Sequence, residues 1–247
     1  MYEKLLCLSF LLCAFSVINA KFPVDPKPCK YGDTECILKI SNYFVKEKFQ
    51  GDDAINLITI DPLKVAKINI KQGAESPVNI DLQFVNNNIE GLKSVKVAKI
   101  KGFGNDLTQK HAIHFMMPHV SLVGDYSING KILILPISGN GKSNMTFVNT
   151  EMIVQFSGEP IQKDDGIHMK LKDIKIKFIP ERLHYYFGNL FNGDKALGDN
   201  MNAFLNENWK EIFGEVQSSL ESAFKQVVEA VLNTVFSKYP YEKYFVH

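Results

Sequence analysis

The spacing of apolar residues changes period twice along the chain. Residues 21–32 (KFPVDPKPCKYG) carry three prolines and no period. From Asp33 or Thr34, either able to cap a helix, to about Phe49, the residues Ile37, Ile40, Phe44 and Val45 share one helical face. From about 63 to 180 the period falls to two. Val78, Ile80, Leu82 and Phe84 alternate with polar residues, as do Val95 and Val97, and Leu122, Tyr126 and Ile128 share one face. Asn129-Gly130 reads as a two-residue hairpin turn, and Ile132 to Leu135 as a strand covered on both faces. No helix-length pattern separates these strands, so they predict an antiparallel meander.

Two segments change parity without a turn. Met145 and Phe147 give way to Met152, Val154 and Phe156, and Met169 and Leu171 to Ile174, Ile176 and Phe178. Such slips predict β-bulges, which bend a strand and raise its twist. Pro180 is expected to end the strands, with a short helix or loop over 181–190. From Asp199 to about Phe236 apolar residues recur every three or four positions, from Met201 through Trp209 and Leu220 to Val235, and a second row including Phe204, Phe213 and Val228 widens the stripe. One continuous helix there would be about 57 Å long, against ~17–20 Å for an ordinary strand. A flat sheet of such strands cannot cover it; a rolled one can. The expected fold is α+β: one elongated domain in which a strongly curved antiparallel sheet wraps a long C-terminal helix. A coiled-coil dimer is the competing account of the stripe, but its seam would be narrower and less aromatic.

The first twenty residues stand apart. Residues 5–18 are apolar but short for a bilayer span, Lys4 precedes them and Ala20 ends the segment. This is the pattern of a secretory signal peptide, and it implies a secreted, extracellular chain beginning at Lys21. Cys7 and Cys13 would leave with it. Cys29 and Cys36 remain as the one possible intramolecular disulfide, worth about 2.5 kcal/mol on a chain-entropy model; free thiols or a metal pair are the alternative. Asn144-Met145-Thr146 is a glycosylation sequon, expected at a turn or strand edge.

Charge and chemistry then narrow the function. Lys+Arg is 28 and Asp+Glu 27, a formal net charge of +1, which disfavours nucleic acid as a partner. Residues 136–143 (PISGNGKS) imitate a phosphate loop, yet Pro136 replaces the first glycine and a strand follows where a helix is needed, so a turn is expected. His111, His114 and His119 cluster, but His111 and His114 point to opposite faces of a strand, so no metal is assigned. No Gly-x-Ser-x-Gly elbow occurs and no cofactor is indicated, so the chain reads as not an enzyme.

Particular residues go further. The Cys29/Cys36 pair, Asp61-Pro62-Leu63-Lys64-Val65, the run Tyr126-x-x-x-Gly130-Lys131-Ile132-Leu133 with Pro136 and Gly139-x-Gly141, FLNENWKEIF (204–213) and VFSKYPYEKYF (235–245) resemble the insect haemolymph juvenile hormone-binding and takeout family. The resemblance spans residues 21–247 and implies a tubular lipid-binding fold of the super-roll type. It also implies an internal tunnel or pocket for a hydrophobic small molecule, and a link to circadian, feeding or chemosensory physiology. The hormone binders carry a second disulfide that this chain lacks, which places it nearer the takeout-like, clock-controlled branch.

The expected ligand wall is Ile37, Ile40 and Phe44 from the first helix, Tyr126 from the sheet, and Phe204, Trp209 and Phe213 from the long helix. Tyr126 is the expected hydrogen-bonding handle and the first helix the expected lid. Two other readings remain: a signalling or interaction protein with a filled core, and a membrane-lipid binder of similar fold. The last predicts a local cationic face that the overall +1 would hide. The receptor is unknown.

Overall fold

The computed structural model describes residues 22–73 and 76–247; the expected signal peptide, with Cys7 and Cys13, lies outside them. In chain order the elements are β1 (Cys29–Lys30), α1 (Thr34–Glu47), β2 (Leu63–Lys71), β3 (Val78–Glu90), β4 (Lys96–Lys101) and β5 (Lys110–Ile132). They continue with β6 (Leu135–Lys163), β7 (Gly166–Ile179), β8 (Arg182–Phe187), α2 (Lys195–Glu207), α3 (Trp209–Phe236), α4 (Tyr241–Tyr244) and β9 (Phe245–Val246). The main sheet runs β2-β3-β5-β6-β7, with β4 added on β5 and β8 on β6, every pairing antiparallel.

The sheet wraps the helix. β2 and β7 close opposite ends of the strand path, yet both pack on α3. The coverage comes from two very long strands rather than many ordinary ones. β5 has 23 residues and β6 has 29, so β6 would span ~95 Å if straight. Left-handed residues on β6 and β7 break the straightness of the sheet. At Asp173 (φ 53) the β6–β7 register slips by one, which accounts for the parity change between Leu171 and Ile174 as a bulge. The change between Phe147 and Met152 has another cause. The β5–β6 register is unbroken there, and Asn149 (φ 44) stands opposite Pro118, so both strands of the hairpin switch faces at the same level.

Four local expectations are corrected. Asn129-Gly130 is not a turn: β5 runs through it, and the chain reverses at Leu133 (φ 55) and Ile134, which is 85% exposed. Gly130 is required instead because a Cβ there would lie 2.2 Å from the Asn79 carbonyl oxygen on β3. Ile132 to Leu135 is that hairpin's tip, not a doubly covered strand. Residues 136–143 form no turn either; they lie within β6, where Gly139 lets the Leu190 backbone cross at close range. Strands do not end at Pro180, because 182–187 form β8, a strand rather than a helix or loop.

The long helix begins earlier than its stripe and is interrupted once. Asp194 caps it, accepting from the Leu197 N–H at 3.0 Å. At Asn208 the side-chain amide and the backbone N–H both donate to Phe204 O, and α3 restarts at Trp209. At the other end, Asp33 accepts from the Cys36 N–H and starts α1. A Cys29–Cys36 disulfide ties that first turn to β1. β1 pairs in parallel with β9, so the lead-in and the C-terminus form one small two-stranded strap. Asn144 is exposed, but it sits within central strand β6 rather than at a turn or edge, with its Oδ1 accepting from the Thr146 hydroxyl.

Candidate ligand cavity

Packing on α3 changes character halfway along. Its first half fills the sheet's interior with Ile212, Phe213, Leu220 and Phe224, all buried. Its second half presents chiefly Val227, Val228, Val231 and Val235, whose side chains are shorter, with Leu232 and Phe236 among them. The sheet does not close down on them, and a cavity of about 350 Å³ is left. Phe147, Phe178 and Phe224 form its floor, with ring centroids 5.3–6.3 Å apart. α1 covers one side through Ile37, Ile40, Phe44 and Val45, while Ile113, Phe115, Met117 and Met152 form the sheet wall. The lead-in 22–29 and Phe245 of the strap complete it. No residue of α2, and none of α3 before Phe224, lines it, so the space occupies only the α1 half of the molecule.

The wall is nearly free of polar groups. Among the described residues its polar side chains are Lys27, Ser41 and Tyr244, and the Tyr244 hydroxyl is already donated to Val235 O. Burial holds that phenol well above its ordinary pKa. Such a surface offers burial, not proton transfer: apolar area removed from water stabilises by roughly 25 cal/mol per Å². The volume is at the low end of the ~300–1,000 Å³ usual for small-molecule pockets.

Of the seven expected wall residues, Ile37, Ile40 and Phe44 line this cavity and four do not. Tyr126 is buried elsewhere, its hydroxyl donating to Gly188 O at 2.8 Å and its ring on Phe187. Phe213 is buried in the filled half, and Phe204 packs against the same core. Trp209 carries the Arg182 guanidinium 5.6 Å from its ring. The wall residues missed by sequence reasoning are chiefly the valines of α3, Phe115 and Met152. Their signal was the enrichment in valine along the second half of one stripe, where shorter side chains fill less of their surroundings.

The three clustered histidines separate. His111 is buried, accepting from the Phe103 N–H at Nδ1 and donating from Nε2 to Leu107 O, both at 2.9 Å. His114 points outward to Glu151 at 2.8 Å, and His119 is exposed. Among the described residues no three metal-binding side chains gather.

The family model described as haemolymph juvenile hormone binding protein (JHBP) matches residues 7–246. The chain belongs to that family. The JHBP family is one of proteins that bind hydrophobic ligands. The circadian clock-controlled protein daywake of Drosophila melanogaster is 26% identical over 243 residues, covering 96% of this chain and 93% of that protein. Its Drosophila yakuba counterpart is 25% identical over 229 residues, covering 91% and 88%. Takeout 1 of Epiphyas postvittana, in its crystal structure, superposes with a TM-score of 0.73 at 22% identity, covering 87% of this chain and 96% of that one. That likeness shows the shared fold: a curved antiparallel sheet around a long C-terminal helix.

Proposed function

We propose that this JHBP-family chain is a secreted carrier for a hydrophobic small molecule, held in the chamber between α1 and the valine-rich half of α3. The observation that carries the reading is the apolar space of about 350 Å³ closed below by Phe147, Phe178 and Phe224. A one-ended chamber of this size suits a compact terpenoid-like guest better than a fully extended long-chain lipid. A filled-core signalling protein would have no use for a void of this size, since an empty apolar cavity destabilises a fold in proportion to its volume. Residues 1–20 serve as the export signal in this reading, residues 21–247 as the binding domain, and Asn144 bears a glycan. The clock-controlled naming of the daywake relatives supports a place in rhythmic physiology.

The test is to purify the protein from insect cells, extract it with organic solvent and identify what is released by mass spectrometry. An apolar fluorescent probe is then titrated into the stripped protein. One equivalent of probe should bind, and Val228→Trp, which fills the chamber from α3, should weaken it at least tenfold while the circular dichroism stays unchanged. Neither released ligand nor saturable probe binding would end the carrier reading.

A further inference from the structure

The outer face of the sheet opposite the chamber carries a charge pattern with no internal partner. On β4 the outward side chains include Lys96, Lys99 and Lys101; on β7 they include Lys170, Lys172, Lys175 and Lys177; Lys110 opens β5. All eight are exposed, and none forms an ion pair among the described residues. Four carboxylates lie on β4 to β7, and Asp125, toward the hairpin tip, is taken by Lys142. Glu151 is taken by His114 at 2.8 Å, Asp173 accepts from the Ser157 hydroxyl, and Glu159 stands opposite Lys170. A chain of net charge +1 thus concentrates its positive charge on one face.

The register turns these lysines into two tracks. Lys99 on β4 leads across His114 and Ile153 to Lys177 on β7, and Lys101 leads across Ala112 and Gln155 to Lys175. The third row runs from Lys96 across Met116 and Glu151 to Ile179. Met116 and Ile179 are 41% and 44% exposed. The tracks lie three strand spacings apart, about 14 Å. Between the tracks, on β5 and β6, lie Met116 and Ile153 beside the His114–Glu151 pair, Ala112 and Gln155, while Ile179 extends the β7 track beyond Lys177.

Edge protection does not account for the lysines. Charged edges discourage sheet-to-sheet pairing, but side chains of α1 and α3 already take backbone groups at points along each edge. On β4, Asn42 of α1 bonds both backbone groups of Val97. On β7, Asn233 and Glu221 of α3 accept from the Leu171 and Phe178 N–H groups, and Gln217 donates to Phe178 O.

We propose that this face docks the protein on an anionic phospholipid membrane. Flexible lysines reach the headgroups while Met116, between the tracks, and Ile179, at the end of the β7 track, enter the interface. The exposed Met116 and Ile179 set among the lysines favour a bilayer over a sulfated polysaccharide or an acidic protein, which would need charge alone. The docking goes beyond the carrier reading and stands without it.

The test is co-sedimentation of the full secreted chain with vesicles of phosphatidylcholine, with and without 30% phosphatidylserine. The expected result is binding to the mixed vesicles alone, weakening at least tenfold between 50 and 200 mM salt. K175E/K177E should lower the partition at least tenfold, whereas K131E, near the far hairpin tip, should leave it unchanged. Met116→Ser with Ile179→Ser should lower binding at 200 mM salt more than at 50 mM. Circular dichroism of each variant confirms that it is folded. Equal binding to both vesicle types, equal losses from K131E and K175E/K177E, or retention by heparin without vesicle binding would each overturn the proposal.

Discussion

Asn42 closes both backbone polar groups of Val97: its Nδ2 donates to Val97 O and its Oδ1 accepts from the Val97 N–H, both at 2.9 Å. One side chain of α1 thereby acts as the neighbouring strand that the β4 edge lacks. The device recurs on β8, where Asn206 bonds both backbone groups of Tyr185 and Asn202 those of Phe187. At both ends of the molecule a helix is held to an edge strand by asparagine amides as well as by apolar contact.

Replacing Asn42 by alanine should therefore loosen α1, the proposed lid, more than its partial exposure suggests. Two hydrogen bonds are lost and two backbone groups of a buried valine lose their partners, a cost of about 1–3 kcal/mol. Amide exchange in α1 should quicken, and the release rate of an apolar probe should rise several-fold. Unchanged exchange with faster release would place the exit elsewhere.

His111 makes the protein sensitive to acid. Burial depresses its pKa below the ordinary imidazole value, and Nδ1 must stay unprotonated to accept from Phe103, a residue of the chamber wall. The unfolded chain takes up a proton near pH 6.5 while the native one resists. The stabilisation is thus present above about 6.5 and lost as pH falls through the lower native value. Urea midpoints should fall between pH 7 and 5, and probe affinity with them. His111→Gln should be less stable at pH 7 but flatter over that range.

Tyr185 is the opposite case, a buried phenol whose hydroxyl has no hydrogen-bond partner among the described residues. An unsatisfied buried hydroxyl costs about 1–3 kcal/mol. Tyr185→Phe keeps the ring and removes that cost, so the melting temperature should stay the same or rise. A fall of several degrees would show that the hydroxyl has a partner in solution.

The sequence announced the fold through period and parity, because a helix stripe and a strand alternation are local consequences of which face is buried. The parity slip at Leu171 to Ile174 was readable as a bulge for the same reason. Asn129-Gly130 misled because the chemistry that suits a turn also suits close strand crossing, and only the approach of Asn79 on β3 distinguishes them. The chamber was half legible. Ile37, Ile40 and Phe44 were found because a short amphipathic helix has one face to bury. Phe204, Trp209 and Phe213 were placed on the ligand because a stripe looks alike whether the sheet fills against it or stands off. The lysine tracks were invisible, since Lys99 and Lys177 are brought level by register alone.

Tyr126 governs behaviour at the alkaline end. Burial pushes its phenol to about 12, while the hydroxyl donates to Gly188 O at 2.8 Å. An unfolded tyrosine ionises near 10. Between about pH 10 and 12 the unfolded chain releases this proton and the native chain does not, so stability is complete below 10 and drains away as pH rises. Tyr185, Tyr241 and Tyr244 are raised in the same direction by burial and steepen the loss. Tyr126→Phe should cost about 1 kcal/mol at pH 8 for the missing hydrogen bond. It should also shed less stability than the parent between pH 9 and 11. Ultraviolet phenolate titration alongside urea unfolding at each pH measures both. A parent whose stability is flat to pH 11 would mean that these phenols are open to water and that their surroundings are looser than the packing indicates.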